Sequence, residues 1–224
     1  MESRGFDLSN LKYPITVGIS GASGTIYAIR TLQFLLENNY RIDLVISDGA
    51  IKVAQSEINL EFSNNPEILK EQVLSYLENA SKKKIQRAFL NVWSNNDISA
   101  PIASGSYRTL GMIIIPASMG TVSAIANGTS DNLLTRAADV CLKERGKLVL
   151  VPREMPYSTI HLENLLKLSR TGVIIAPASP AFYHNPIKLD HAIDFVVGKT
   201  LDLFGIDHNL FKRWKEEYRE VNKI

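Results

Sequence analysis

Cysteine is nearly missing from this chain. Cys141 is the only one in 224 residues, which excludes a disulfide framework and any cysteine-rich zinc site. Excess charge is nearly missing too: Lys and Arg number 25, Asp and Glu 23, for a net +2. That balance is too even for a protein that grips a nucleic-acid backbone through a basic face. No apolar run approaches the ~18 residues of a membrane span, and the opening MESRGFDLSN has no signal-peptide core. These absences predict a cytoplasmic protein in a reducing compartment, without membrane or nucleic-acid partners. Motifs are missing as well. There is no GxxxxGK[ST] loop, no HExxH and no aspartate pair of the kind that chelates magnesium diphosphate, and the histidines at 161, 184, 191 and 208 lack metal-ligand spacing. GISGASG carries its serines in the wrong frame for a GxSxG nucleophile elbow.

What is present is an ordinary globular composition, 45% hydrophobic and 21% charged, sufficient for a sizeable core. The polar residues 1–12 read as a flexible N-terminus and 13–224 as a single domain. Strands are expected at 13–20, 42–47, 111–115, 147–151 and 172–176, each nearly all apolar. Helices are expected at 25–36, 66–77, 131–145, 159–169 and 189–204, with a last short helix or tail at 210–218. The lysine run ending at Lys84 reads as a solvated turn. Buried strands alternating with amphipathic helices imply a three-layer α/β fold, a mostly parallel sheet with helices on both faces.

In such a sheet, ligands sit beyond the carboxyl ends of the strands, so the loops there hold the candidates. Ser20-Gly21-Ala22-Ser23-Gly24 leads straight into a helix. It reads either as a phosphate cradle, using the free N–H groups of the helix start, or as a tight turn that needs glycine for geometry alone. Asp48, after Ser47, suits a ribose contact or a helix start equally. Pro-Ala-Ser closes two strands, at Pro116 and Pro177; the first continues as Ser118-Met119-Gly120-Thr121 into a helix. Together these loops suggest a rim of hydroxyl and N–H groups around one cleft. Arg153 and Glu154 follow a buried strand across Pro152, and a charged pair there points into the crevice. Ala103-Ser104-Gly105-Ser106 is a further small-residue loop, and Phe182-Tyr183-His184 sits between prolines, where aromatics can cover a flat ligand. Arg136 and Lys143 share a helix face, His161 lies within a helix, and Lys199 lies off the apolar stripe of the last long helix; each reads first as surface.

Taken jointly, these residues resemble the UbiX-type flavin prenyltransferases over about Ile15 to Trp214. The carriers are the GASG turn, Ile46-Ser47, Ala100-Pro101 with the Ala103–Ser106 loop, Pro116 to Thr121, Arg136-Ala137-Ala138-Asp139, Leu142-Lys143-Glu144-Arg145, Leu150 to Pro156, Ile160 to Leu168 and Phe182-Tyr183-His184. The resemblance implies a Rossmann-like or flavodoxin-like subunit of a homododecamer. That subunit binds reduced FMN and dimethylallyl phosphate without metal, and builds a fourth flavin ring through N5 and C6 for a UbiD-type decarboxylase. It implies that Gly21, Ala22, Ser23, Ser47, Ser118, Met119, Gly120, Thr121 and Arg153 hold FMN. Ser104, Gly105, Lys143 (its own or a neighbouring subunit's), Arg153, Glu154, Tyr183, Lys199 and Trp214 would surround the prenyl donor. Glu154, Tyr183, Lys143 and Ser23 would be catalytic, with Glu154 as proton carrier and the departing phosphate as its rival. Two departures stand out: Ile98 where some relatives have tryptophan, and Lys199 where some have arginine, which keeps charge but loses the bidentate grip. Three other readings are an FMN-dependent cysteine-type decarboxylase, an NAD-dependent oxidoreductase and a non-catalytic flavin carrier. The first is disfavoured because no histidine precedes His161.

Overall fold

A computed structural model describes residues 12–81 and 83–214; residues 1–11 of the expected flexible N-terminus, Lys82 and residues 215–218 of the expected last helix lie outside these. Six strands and seven helices follow in the order β1 (Ile15–Ile19), α1 (Thr25–Glu37), β2 (Ile42–Ile46), α2 (Asp48–Ile58), α3 (Pro66–Ala80), β3 (Leu90–Trp93), β4 (Gly111–Ala117), α4 (Met119–Ala126), α5 (Leu133–Lys143), β5 (Leu148–Pro152), α6 (Thr159–Arg170), β6 (Ile174–Ile175) and α7 (Leu189–Leu203). The strands form one sheet in the order β3-β2-β1-β4-β5-β6, and every pairing is parallel.

Side-chain alternation divides the core in two. Val17, Ile113, Ile115, Val149 and Val151 face α1, α2, α3 and α7, whereas Met112, Ile114, Leu148 and Leu150 face α4, α5 and α6. With both faces covered, every residue of β1, β2, β4 and β5 is buried, which is why these strands are nearly all apolar, Thr16 and Asp43 being the polar exceptions among them. The strand β3 was not among those expected. It is short, lies at the sheet edge, and only Leu90 of it is fully buried, so Leu-Asn-Val-Trp carries no clear period. The helix α2 was also not laid out; only Ala50 and Ala54 are buried along it. After α7, residues 210–214 form no helix. They fold back instead: a Cβ on Gly198 would stand 2.6 Å from His208 and 2.7 Å from Phe211, so glycine there lets this segment lie against α7.

Strand order reverses between β1 and β4, which opens a crevice at their carboxyl ends. Pro116 has no N–H to donate, and the β1–β4 ladder ends at Gly18 and Ile114. Ser20 clips the two strands together beyond that point. Its N–H (3.2 Å) and hydroxyl (3.0 Å) donate to the Pro116 carbonyl, and its oxygen accepts the Ser118 N–H at 2.7 Å.

Candidate active site

Four neighbouring strand ends, β2, β1, β4 and β5, deliver the sequence candidates to one edge. Ser47 follows β2 and caps α2, accepting the Ala50 N–H at 3.2 Å. Ser118 follows β4 and caps α4; its oxygen accepts the Thr121 N–H at 3.3 Å and its hydroxyl donates to Thr121 Oγ1 at 3.1 Å. Gly24 begins α1 with φ 113°, in a left-handed region that favours glycine. The crevice is thus rimmed by three helix starts, each with N–H groups that the helix itself cannot satisfy. A Cβ on Gly21 would stand 3.0 Å from the backbone of Gly49, so the β1 and β2 loops meet backbone to backbone. Asp48 is exposed in the first turn of α2, and Ser47, not Asp48, is the cap.

Sequence reasoning missed Glu57. From α2 its carboxylate accepts the Gly24 N–H at 3.0 Å to each oxygen and the Thr25 N–H at 2.9 Å. Two of the N–H groups at this helix start, those of Gly24 and Thr25, therefore already hold the chain's own anion. Burial alone would raise the Glu57 pKa, but hydrogen bonds from Ser23, Gly24 and Thr25 bring it below the usual carboxylate range. No local motif marks Glu57, because its partners lie more than thirty positions away. A group depressed on folding stabilises above its unfolded pKa, and that contribution is lost as pH falls through the folded value. The thermal-midpoint gap between the parent and Glu57→Gln is therefore expected to be largest near neutrality and to close as acidification protonates the carboxylate. A gap that does not change with pH would remove this account.

Arg153 is half-buried and Glu154 exposed at the end of β5. The Arg153 N–H donates to the Ala117 carbonyl at 3.2 Å, which ties this loop to the end of β4. Tyr27 of α1 lies within the field of Arg153; burial raises its pKa and that positive charge opposes the rise. Burial also raises Tyr157, and the charge of Glu154 adds to it. Beyond β6, Tyr183 packs edge-on against Phe195 (5.8 Å), His184 (5.7 Å) and Trp214 (5.2 Å). Lys199, one turn of α7 beyond Phe195, is exposed with its ammonium 3.4 Å from Asp202.

The remaining donor candidates stand elsewhere. Lys143 ends α5, immediately before β5 begins, and so lies at the amino edge of the sheet. A Cβ on Gly105 would overlap the Glu144 carboxylate and stand 3.0 Å from the Lys143 ammonium, which puts the Ser104–Gly105 turn at the same place. Arg153 and Glu154 follow the other end of β5, some ~16 Å of strand away at ~3.3 Å per residue. One chain therefore sorts the candidates into two groups: Arg153, Glu154 and Tyr183 at the carboxyl edge, and Ser104, Gly105 and Lys143 at the amino edge. Of the four residues read first as surface, Lys143 and Lys199 are exposed, and Arg136 and His161 are half-buried with local partners. Arg136 pairs with Asp139 at 3.2 Å, and His161 completes a capping box with Ser158. Among the described residues no group of three His, Cys, Asp or Glu stands together as for a metal ion, and no helix is long and apolar enough to cross a membrane.

Residues 7–207 match the family model Flavoprotein. The flavin prenyltransferase UbiX of Halalkalibacterium halodurans is 50% identical over 202 residues, covering 90% of this chain and 93% of the relative. A dodecameric FMN-dependent UbiX-like decarboxylase from Escherichia coli O157:H7 superposes with a TM-score of 0.75 at 42% identity, covering 90% of this chain and 99% of that one. The structure of AnUbiX in complex with FMN and dimethylallyl pyrophosphate superposes with a TM-score of 0.76 at 37% identity, covering 91% and 97%.

Proposed function

The chain belongs to the flavoprotein family and within it to the flavin prenyltransferases, and from that premise we propose that it joins the dimethylallyl group of a dimethylallyl phosphate ester to N5 and C6 of reduced FMN. The observation that carries this reading is the carboxyl-edge crevice, where three helix starts, two capping serines and the Arg153–Glu154 pair converge.

The crevice suits FMN as the acceptor. The close Gly21–Gly49 approach leaves a backbone-lined wall, and a Cβ on Gly120 at the start of α4 would meet nothing nearer than the Ser118 hydroxyl at 4.0 Å. Because Glu57 holds the α1 start, the flavin phosphate is assigned to the α4 start, where Ser118, Gly120 and Thr121 offer hydroxyl and N–H groups. Ser23, Ala22 and Ser47 then line the flavin side, with Arg153 close to both anionic esters. In the reaction the donor's carbon–oxygen bond breaks and phosphate departs with the electron pair. Arg153 and Lys143 stabilise that charge without a metal. The faces of Tyr183 and Trp214 suit an electron-poor allylic carbon. N5 bonds to the freed carbon and its proton leaves with the phosphate; that proton then adds to the donor's alkene as its tertiary carbon bonds to C6, and Glu154 takes the proton lost from C6 as the fourth ring closes. The Ser23 hydroxyl, held on Glu57, stands at the flavin edge.

A site divided between two sheet edges is completed by a second copy. Ile160, Leu162 and Leu166 of α6 and the neighbouring Met155 are exposed, Met155 by 89%, an apolar face fit for self-association. Assembly as a homododecamer would bring the Ser104–Lys143 edge of one subunit onto the Arg153–Tyr183 edge of another. The product, prenylated FMN, would pass in the cytoplasm to a UbiD-type decarboxylase.

Purified protein given reduced FMN and dimethylallyl monophosphate, or in parallel the diphosphate, is expected to return flavin heavier by one five-carbon unit, read by mass spectrometry. Flavin of unchanged mass with both donors would leave a flavin carrier as the better reading.

A further inference from the structure

We propose that Asp43 is a positioning residue, which holds the Ser104–Ser106 turn through Tyr107 so that the turn can receive the prenyl donor's phosphate in a neighbouring subunit's site. The inference rests on the reading of Ser104, Gly105 and Lys143 as the donor-phosphate group given above.

Asp43 is a charge-bearing residue in an otherwise apolar strand, Ile-Asp-Leu-Val-Ile, and it is 0% exposed. Burying a carboxylate is costly unless it is hydrogen-bonded. Among the described residues it pairs with no Lys, Arg or His, and it accepts three neutral donors instead. Asn91 Nδ2 (3.1 Å) and Trp93 Nε1 (3.0 Å) reach Oδ1, and the Tyr107 hydroxyl reaches Oδ2 at 2.9 Å. Two of the donors follow from the sheet: β3 pairs Asn91 with Asp43 and Trp93 with Val45, so alternate residues of the edge strand present their side chains on one face. The third comes from outside the sheet.

Tyr107 is also bonded to the turn through its backbone. Its N–H donates to the Ser104 carbonyl at 3.1 Å, and within the turn the Ser104 and Ser106 hydroxyls lie 2.9 Å apart. One end of the segment is held by apolar packing, since Ile102 and Ala103 are buried against the α5 side of the core. The other end is only partly buried, with the Tyr107 ring packed at the margin of the same core. A cavity of about 330 Å³ lies behind it, bordered by Thr16, Met112, Ala137, Cys141 and Glu144 as well as Tyr107. Ring packing leaves the ring free to slide along this margin, so the hydroxyl bond to Asp43 is the directional tie that sets the depth of the turn, and with it the place of Gly105 beside Lys143. Burial, and then Asp43 itself, push the Tyr107 hydroxyl up to about 12, so it remains a donor throughout the working pH range.

Three variants separate positioning from plain stability. Tyr107→Phe removes the anchor while keeping the ring. Asn91→Ala removes another donor from the same carboxylate without touching the turn. Asp43→Asn can still accept from Asn91 and Trp93 through its carbonyl while its amide donates to the Tyr107 oxygen. Steady-state kinetics with dimethylallyl phosphate, FMN binding by fluorescence and thermal melting are measured for each, with Lys143→Ala as reference. Tyr107→Phe is expected to raise the donor KM roughly tenfold, with FMN affinity and kcat within about twofold of the parent. Asn91→Ala is expected to melt earlier at the parental donor KM, and Asp43→Asn to keep the donor KM within about threefold. A parental donor KM in Tyr107→Phe, while Lys143→Ala raises it, would overturn the positioning role and leave the donor-site reading standing. An equal rise in Asn91→Ala would also overturn it, by making the effect one of general destabilisation. If Lys143→Ala leaves the donor KM unchanged as well, the donor-site reading falls and the inference with it.

Discussion

Replacing Glu154 by glutamine is expected to leave FMN bound and to slow closure of the new flavin ring by roughly a hundred- to ten-thousand-fold, the usual span of a lost general base. Ring closure at C6 requires a proton to leave that carbon, and a carboxylate at the end of β5 can take it. Glu154 is suitably placed: it is exposed at the crevice, it directly follows Arg153, and its carboxylate oxygen accepts the Met155 N–H at 3.0 Å. Glutamine keeps the size and that acceptor but cannot take a proton. In single turnovers, phosphate release should keep the parental pace while the absorption of the closed-ring product lags far behind. Closed product at the parental rate would take Glu154 out of the reaction and favour the departing phosphate as the base. Loss of FMN would make Glu154 a flavin-binding residue instead.

Lys143→Ala and Arg153→Ala should each lower activity by about a hundred- to a thousand-fold, the cost of losing one preorganised charge at a leaving group. Co-expressed in one oligomer, the two variants should recover about a quarter of parental activity. The recovery follows from geometry. In one chain the two residues stand at opposite edges of the sheet, so a site that uses both, as proposed above, would draw Lys143 from one subunit and Arg153 from another. In an equal random mixture each of these is intact half the time, and both together in about a quarter of sites. A site built within a single chain has no such route, so mixed oligomers as inactive as the separate variants would exclude sharing. Lys143 is exposed, its ammonium 2.8 Å from Glu144, and its loss leaves the core unaltered.

Much of the candidate site could be read from residue order because the loops that form it follow recognisable strands. Ser47, Ser118 and Arg153 are each the first residue beyond an apolar strand, and in a parallel sheet all such positions lie on one edge. Glu57 could not be found this way, since it reaches the crevice from ten residues into α2 and bonds to another loop. The Asp43 carboxylate was equally hidden; its donors come from an edge strand with no clear period and from a loop tyrosine 64 positions on. Nor did residue order separate Lys143 from Arg153. Ten positions apart along the chain, they are divided by the whole of β5.

By itself the sequence determined the alternation of buried strands and amphipathic helices, and hence a layered α/β fold, because periodicity and glycine or asparagine punctuation act over a few neighbouring residues. It also determined which small and charged residues follow each strand. Only the tertiary structure decided that β4 pairs with β1, that Glu57 occupies the α1 start, and that Lys143 and the Ser104–Gly105 turn lie on the far edge. Those outcomes depend on contacts between distant segments, where packing and the satisfaction of buried polar groups, rather than local preference, select the partner.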